Sequence, residues 1–157
     1  MKKLVLLLLL SACSFQPVFS GSDTDVYVAP ISGINGIELR NSLNDDFGGM
    51  HDINSKYNLT VKLSNPITKY KALERTGDAT WQEVTLNASY ELKEGEKLIA
   101  KGSETASESY MFVQYLVASN ASYNNAVMNV IHVLAEKISM RVNAETQKYK
   151  NQIGSTK

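Results

Sequence analysis

The sequence has few of the residues that support disulfide, metal or redox chemistry. Its 157 residues include one cysteine, Cys13, and two histidines, His51 and His132. One cysteine cannot form an intramolecular disulfide, and neither histidine stands in an HxxxH or HExxH pattern. The GxSxG, GxGxxG and P-loop motifs are also missing. We therefore expect a non-enzymatic protein with no cofactor, no metal site and no catalytic residue.

The sequence also lacks a surplus of charge of either sign. Sixteen lysines and arginines balance sixteen aspartates and glutamates. Without residues 1–12 the count is 14 basic against 16 acidic side chains. A chain this close to neutral has no general attraction for nucleic acid, so no nucleic-acid partner is expected and any basic site must be local.

Long hydrophobic runs are absent apart from the seven residues Leu4–Leu10. A transmembrane helix needs about 20 apolar residues, so this run is too short to span a membrane. Two lysines precede the run and Ser11-Ala12-Cys13 follows it, which is the pattern of a signal peptide. The last four residues, Leu10-Ser11-Ala12-Cys13, match the lipobox, in which the chain is cut before a cysteine that then receives lipid.

We interpret residues 1–12 as a lipoprotein signal peptide, Cys13 as the lipidation site and residues 13–24 as a tether. An ordinary secretory signal with a chance cysteine is the alternative. Removal of the signal leaves 145 residues, enough for one domain with a single core. The domain is expected over residues 25–148, with a flexible tail over residues 149–157.

Hydrophobic periodicity indicates the elements of this domain. Period-2 alternation predicts strands, and apolar residues three or four apart predict amphipathic helices. In chain order we predict a strand at 26–30, a helix at 35–47, strands at 57–63, 84–92 and 97–108, and a helix at about 114–148. The predicted fold is α+β, a two-layer sandwich of two helices packed on a four-stranded mixed β-sheet in the order β-α-β-β-β-α. The strand–helix–strand start predicts a parallel pair, and Glu94-Gly95-Glu96 predicts an antiparallel hairpin.

The apolar stripes of the two helices predict the helical half of the core. In the first helix the stripe is Ile37, Leu39, Leu43 and Phe47, and in the second it is Val127, Val130, Ile131, Leu134, Ile138 and Val142.

A basic segment lies between the strand at 57–63 and the strand at 84–92. Residues 69–77 contain Lys69, Lys71 and Arg75, together with Tyr70. We interpret this segment as a loop at the end of the sheet that holds an anion, because lysine offers a point charge and arginine a fork that matches phosphate. The alternative is that the lysines only keep a surface loop soluble.

The mature chain resembles the LPS-assembly lipoprotein LptE family, in particular its alphaproteobacterial branch. The segments that carry the resemblance follow one another in the order and spacing of the family, from the lipidated cysteine to the last helix. They are Cys13–Phe19, which resembles a CGF-x-PLY start, Arg40–Asn44, Tyr57–Val61, Val84–Leu92 and Ser109-Tyr110.

The resemblance implies a function. Family members are lipid-anchored on the periplasmic side of the cell outer membrane, plug the LptD β-barrel and assist its assembly, and bind lipopolysaccharide. Arg75 matches the position of a basic family residue that contacts the lipid A phosphates, and Lys69 and Lys71 are its neighbours. A second family lysine has no counterpart, because Val117–Asn120 is neutral. Ser14, which replaces the aspartate that retains lipoproteins in the inner membrane, also favours the outer membrane.

Two other functions stay open from the residues. One is an auxiliary lipoprotein of another envelope transport system, which binds a protein and has no catalytic activity. The other is a small periplasmic hydrolase that uses a serine together with His132.

Overall fold

The computed structural model describes residues 24–73, 79–112 and 115–154, which form a layer of strands covered on one face by two helices. The elements, in chain order, are β1 (Val26–Val28), α1 (Ile34–Asp46), β2 (Tyr57–Leu63), β3 (Ile67–Leu73), β4 (Ala79–Glu94), β5 (Lys97–Met111) and α2 (Leu116–Gly154). The predicted α+β sandwich, with two helices on a mixed sheet, is confirmed.

The sheet contains one strand more than the sequence indicated, yet it is four rows wide. Strands β2 and β3 lie one after the other along the same edge of β4, with Leu63 opposite Ala88 and Ile67 opposite Thr85. Between them Pro66, which has no N–H group, interrupts the ladder of hydrogen bonds. The interpretation of residues 69–73 as loop was therefore wrong: the chain resumes pairing with β4 directly after the proline.

Strand β1 pairs with β2 in parallel, as predicted from the strand–helix–strand order. Val26 lies opposite Tyr57 and Val28 opposite Leu59. Because β1 ends two residues before Pro30, it covers only the first part of β2 and leaves the rest of that row as an open edge.

The predicted hairpin joins β4 to β5 through Gly95 and Glu96, with Glu94 opposite Lys97. Gly95 has a φ of 57°, a conformation that suits glycine at the first central position of a type II′ turn. The hairpin is long, since pairing continues from this turn to Trp81 opposite Met111.

Helix α2 lies along this hairpin and supplies most of the helical core. Its 39 residues span about 58 Å at 1.5 Å per residue. All six residues of the predicted stripe are at most 5% exposed. The helix continues past Lys148 to Gly154, so the expected flexible tail is helical from residue 149 to residue 154, and Tyr149 donates a hydrogen bond to Glu94 there. In the described part of the chain, no helix has the length and hydrophobicity needed to span a bilayer.

Helix α1 buries a narrower stripe than the sequence predicted. Leu39, Leu43 and Phe47 are fully buried, whereas Ile37 is 56% exposed. Ile37 precedes Leu39 by two residues, which places it about 200° around the helix, on the side away from the core.

The elongated sandwich has two ends, which we name by their distance from the start of β1. The proximal end contains Thr24, the loop 48–56, the β4–β5 turn and the last turns of α2. The distal end contains β3, the start of β4, the end of β5 and the start of α2. Because β1 stops short, the sheet is four rows wide at the proximal end and three rows wide at the distal end.

Candidate lipid- and anion-binding end of the sandwich

The inner face of the distal end is polar and aromatic. Tyr110 on β5 donates a 2.6 Å hydrogen bond to Gln82 on β4, its partner in the sheet register. Its ring meets Tyr123 of α2 edge-on, with centroids 5.8 Å apart and planes at 66°. Burial raises the pKa of Tyr110, so its hydroxyl stays a neutral donor. The core therefore ends in hydroxyl and amide groups rather than in aliphatic side chains.

The two described basic residues of the predicted site lie on β3. Lys69 is opposite Glu83 in the register, and the Nζ of Lys71 lies 2.9 Å from an Oε of Glu83. Glu83 alternates with the buried Gln82 and Val84, so its side chain is on the open face of the sheet, which no helix covers. Lys69, Lys71 and Glu83 thus share the distal part of this face, and an anion that binds here must compete with Glu83.

Both lysines are held by a paired strand rather than by a loop. The register of β3 shifts between Tyr70 and Leu73, so the regular alternation that identifies a strand in a sequence is broken in this segment. The other predicted site residues, Cys13 and Arg75, lie outside the described residues.

Large apolar side chains at the distal end are open to solvent, on the open face of the sheet and on the helix-covered side. Trp81 and Met111 lie directly opposite each other on β4 and β5, on the same open face as Glu83. The exposed apolar side chains of the distal end, which are between 42% and 83% exposed, include Tyr70, Trp81, Met111, Tyr115, Leu116 and Val117. We call these six residues the distal apolar patch. Exposed apolar groups concentrated at one end of a domain are typical of a binding surface.

Sequence reasoning did not identify this patch. Trp81 is the only tryptophan of the chain and lies three residues before the predicted strand 84–92. Extending that alternation backwards would have placed Trp81 on the same face as Thr85 and Asn87. Val117, near the start of α2, is 83% exposed and apolar.

A second basic group lies on the open face, nearer the proximal end. Lys62 and Lys101 border a shallow depression of about 140 Å³ together with Glu91. Lys101 contacts Glu91 at 2.8 Å, and this hydrogen bond with its charge lowers the pKa of the Glu91 carboxyl. No residue of the distal apolar patch borders the depression. The distal lysines therefore differ from these two in their apolar surroundings.

The histidines occupy unrelated positions. His51 contacts the Phe47 carbonyl oxygen at 3.2 Å, in the loop 48–56. His132 on α2 places Nδ1 3.1 Å from the Ser42 hydroxyl of α1, at the solvent-exposed contact between the helices. Asp46, one turn further along α1, instead accepts a hydrogen bond from Ser139, and desolvation raises the pKa of its carboxyl. In the described part of the chain, His132 forms no ion pair with a carboxylate that could orient it as in a catalytic triad.

Neither a protein-family model nor a curated protein sequence matches the chain. Several solved structures nevertheless share its fold. A Caulobacter crescentus protein named as a candidate lipoprotein is 17% identical, over 78% of this chain and 89% of its own, with a TM-score of 0.62. Rare lipoprotein B from Shewanella oneidensis is 12% identical, over 80% and 98%, with a TM-score of 0.62. A minor lipoprotein from Acinetobacter baumannii is 13% identical, over 78% and 93%, with a TM-score of 0.55. The chain therefore has a fold that proteins named as lipoproteins also have.

Proposed function

We propose that this protein is an outer-membrane lipoprotein, anchored on the periplasmic side through Cys13, that plugs an LptD-like β-barrel and binds lipopolysaccharide. The lipobox, the chain-long resemblance to the LptE family and the fold found also in lipoproteins support this proposal. The observation that bears most on lipid binding is that Trp81 and Met111 of the distal apolar patch share the open face with Lys69 and Lys71.

Lipid A combines phosphates with acyl chains, so its binding requires cations next to an apolar surface. Lys69 and Lys71 supply the charge, and Arg75, six residues after Lys69, is the proposed third contact. The apolar side of the same site is offered by Trp81 and Met111 on the open face. Lysine binds phosphate as a point charge, whereas arginine can bind it through two parallel hydrogen bonds.

Extraction of the lipidated chain in mild detergent tests the partner. We expect a large outer-membrane β-barrel to co-purify with it in constant proportion. The variant Trp81→Ser with Met111→Ser, which removes the two open-face members of the distal apolar patch, is a useful comparison because both residues are already exposed. Repeated recovery of the lipidated monomer without a barrel would contradict the proposal, and recovery with the components of a different envelope transporter would favour the auxiliary-lipoprotein alternative.

Charge reversal tests lipopolysaccharide binding. Lys69→Glu, Lys71→Glu and Arg75→Glu together are expected to weaken association by more than the roughly 0–1 kcal/mol of a single exposed ion pair. The matched control is Lys62→Glu with Lys101→Glu, which changes two lysines near the depression on the open face. If the two variants bound lipopolysaccharide equally, the lysines of β3 would only keep the surface soluble.

The contact between Ser42 and His132 is the one observation that favours a hydrolase. A serine hydroxyl within hydrogen-bond distance of an imidazole is the first requirement of nucleophilic catalysis. The pair lies on the solvent side of two helices, and among the described residues no carboxylate forms a hydrogen bond with His132. Turnover of an acyl or glycosyl ester that is abolished by His132→Ala and retained by Ser139→Ala would establish this second function.

A further inference from the structure

The loop 48–56, which joins α1 to β2 at the proximal end, exposes two apolar side chains. Met50 is 73% exposed and Ile53 is 67% exposed, whereas Phe47 just before the loop and Tyr57 just after it are almost completely buried. The loop is therefore attached to the core at both ends and presents its own apolar residues outward. We propose that Met50 and Ile53 insert into the lipid leaflet that holds the acyl chains of Cys13. This inference rests on the lipid anchor of the proposed function and on no other part of it.

The loop has a defined shape. Its first residues, Gly48 and Gly49, have φ values of 91° and 130°, which side-chain-bearing residues rarely adopt. At its centre, the backbone N–H groups of Asn54 and Ser55 both donate to Asp52, at 3.2 and 3.0 Å. Because the loop is already ordered, little conformational entropy would be lost when Met50 and Ile53 enter the lipid leaflet.

The start of the described chain touches this loop directly. The side chain of Asp25 accepts a 2.9 Å hydrogen bond from the backbone N–H of Lys56, and its carbonyl oxygen accepts one of 3.1 Å from the Tyr57 N–H. The Lys56 N–H also lowers the pKa of the Asp25 carboxyl, so this contact persists in the charged state at neutral pH. The point from which the tether leaves the domain is therefore fixed beside the loop.

The length of the tether limits how far the loop lies from the lipid. Ten residues lie between Cys13 and Thr24, so the eleven Cα–Cα steps reach at most about 40 Å at full extension. The distal end is roughly 50 Å further from the anchor than Thr24, because the hairpin strand β4 has 16 residues at roughly 3.4 Å each. Of the two ends, the proximal one therefore lies nearer to the anchor.

A lipid leaflet is the partner that suits this loop best. Met50 and Ile53 are separated by His51 and Asp52 and followed by Asn54, a pattern compatible with shallow insertion of single side chains into the interface. The neighbouring β4–β5 turn carries the charged Glu94, Glu96 and Lys97 beside the half-exposed Leu98, so charged groups interrupt the apolar side chains near the loop.

Fluorescence from a single site tests the inference on the full, lipidated chain. Cys13 is the only cysteine, and its thiol is occupied by lipid in the proposed anchor, so a cysteine introduced elsewhere can be labelled alone. An environment-sensitive fluorophore is placed on Asn54→Cys, in the loop, or on Ile34→Cys, an exposed position at the start of α1. The protein is reconstituted in phosphatidylethanolamine–phosphatidylglycerol vesicles with and without brominated acyl chains, and mass spectrometry measures acylation of Cys13.

We expect a blue shift and bromine-dependent quenching at Asn54→Cys and neither at Ile34→Cys. Both signals should be lost when Met50→Ser and Ile53→Ser are added to the Asn54→Cys variant. Equal quenching at the two positions, or quenching that survives the serine changes, overturns the inference. An unmodified Cys13 overturns the inference and the proposed anchor together. The vesicles contain neither barrel nor lipopolysaccharide, so the barrel and lipopolysaccharide proposals do not depend on this result.

Discussion

The charged side chains at the two ends of the sandwich have different kinds of partner. At the proximal end the charged groups are satisfied by one another: Lys56 lies 3.5 Å from Glu94, Tyr149 donates to the same carboxylate at 2.7 Å, and Lys97 lies 4.7 Å from the Tyr149 ring centroid. At the distal end, Lys71 pairs with Glu83, and Lys69 lies opposite the same residue in the register, with exposed apolar side chains at this end. The proximal charged groups are paired within the fold, whereas the distal lysines are placed to bind an anion that carries an apolar group.

The difference follows from the width of the sheet. At the proximal end four rows of strands and both helices enclose an aliphatic core, whereas at the distal end three rows are covered only by the start of α2. Less apolar area is buried where fewer elements meet, so aromatic side chains at the distal end remain exposed. The following changes test this comparison.

The largest expected effect is a loss of proximal core. Leu92 is fully buried on β4 between Leu59 of β2 and Ala100 of β5. Leu92→Ala should lower the free energy of unfolding by about 2–5 kcal/mol, because a cavity remains where the side chain packed. Urea denaturation measures it, with the half-exposed Met111→Ala of the distal end as the control. Similar losses for the two variants would mean that both ends contribute equally to stability.

A smaller loss is expected from the polar core of the distal end. Tyr110→Phe removes the donor for Gln82, whose buried oxygen then lacks its partner, at a cost of about 1–3 kcal/mol. Tyr123→Phe keeps the edge-to-face contact with Tyr110 and should change the urea midpoint much less. If the Tyr110→Phe protein were as stable as its parent, the hydrogen bond between the Tyr110 hydroxyl and Gln82 would make no contribution to stability.

Removing the distal carboxylate should improve ligand binding. Glu83→Gln frees Lys71 from its ion pair, so lipopolysaccharide association should strengthen by up to the roughly 1 kcal/mol of an exposed pair, about fivefold. Titration calorimetry or fluorescence titration would measure it. Glu91→Gln, which frees Lys101 in the depression on the open face, should leave binding unchanged. Weaker binding by Glu83→Gln would assign that carboxylate to the site itself.

The smallest effect concerns the hydrogen bond that closes the proximal end. The Tyr149 hydroxyl lowers the pKa of the Glu94 carboxyl, so its stabilisation is present above the ordinary glutamate pKa of about 4.3 and is lost as pH falls through the lowered value. Tyr149→Phe should lower stability by about 0.5–1 kcal/mol at pH 7, an estimate kept small because the Glu94 side chain remains partly exposed. Thermal unfolding of both proteins at pH 7 and at successively lower pH checks this, since the difference should shrink as the Glu94 carboxylate is protonated.

The local sequence pattern predicted an element correctly where one face of that element is buried along its length. The alternation from Val84 to Leu92 predicted the middle of β4, and all six residues of the predicted stripe of α2 are buried. Pattern failed where the environment changes within an element. Strand β3 was missed because it pairs with β4 along one edge only and its register shifts after Tyr70. Ile37 was predicted to be in the core, but it lies on the side of α1 that faces away from the core.

The candidate site shows the same division. Lys69 and Lys71 were selected from the sequence because cations cluster there, but their strand, their shared carboxylate and their apolar neighbours were not predicted. Trp81, Met111 and Val117 come from three separate segments that only the folded hairpin and helix bring to one end.

The amino-acid sequence alone carries the pattern of a signal peptide and a lipobox that ends at Cys13, near-neutral charge, and periodicities that predict two helices and a mixed sheet. These are local properties, readable from a few consecutive residues. Which surfaces are buried and which are exposed was set by the tertiary structure, because exposure depends on how many distant elements meet at one place. The short β1 and the long hairpin separate an end whose charged groups are paired from an apolar, lysine-bearing one.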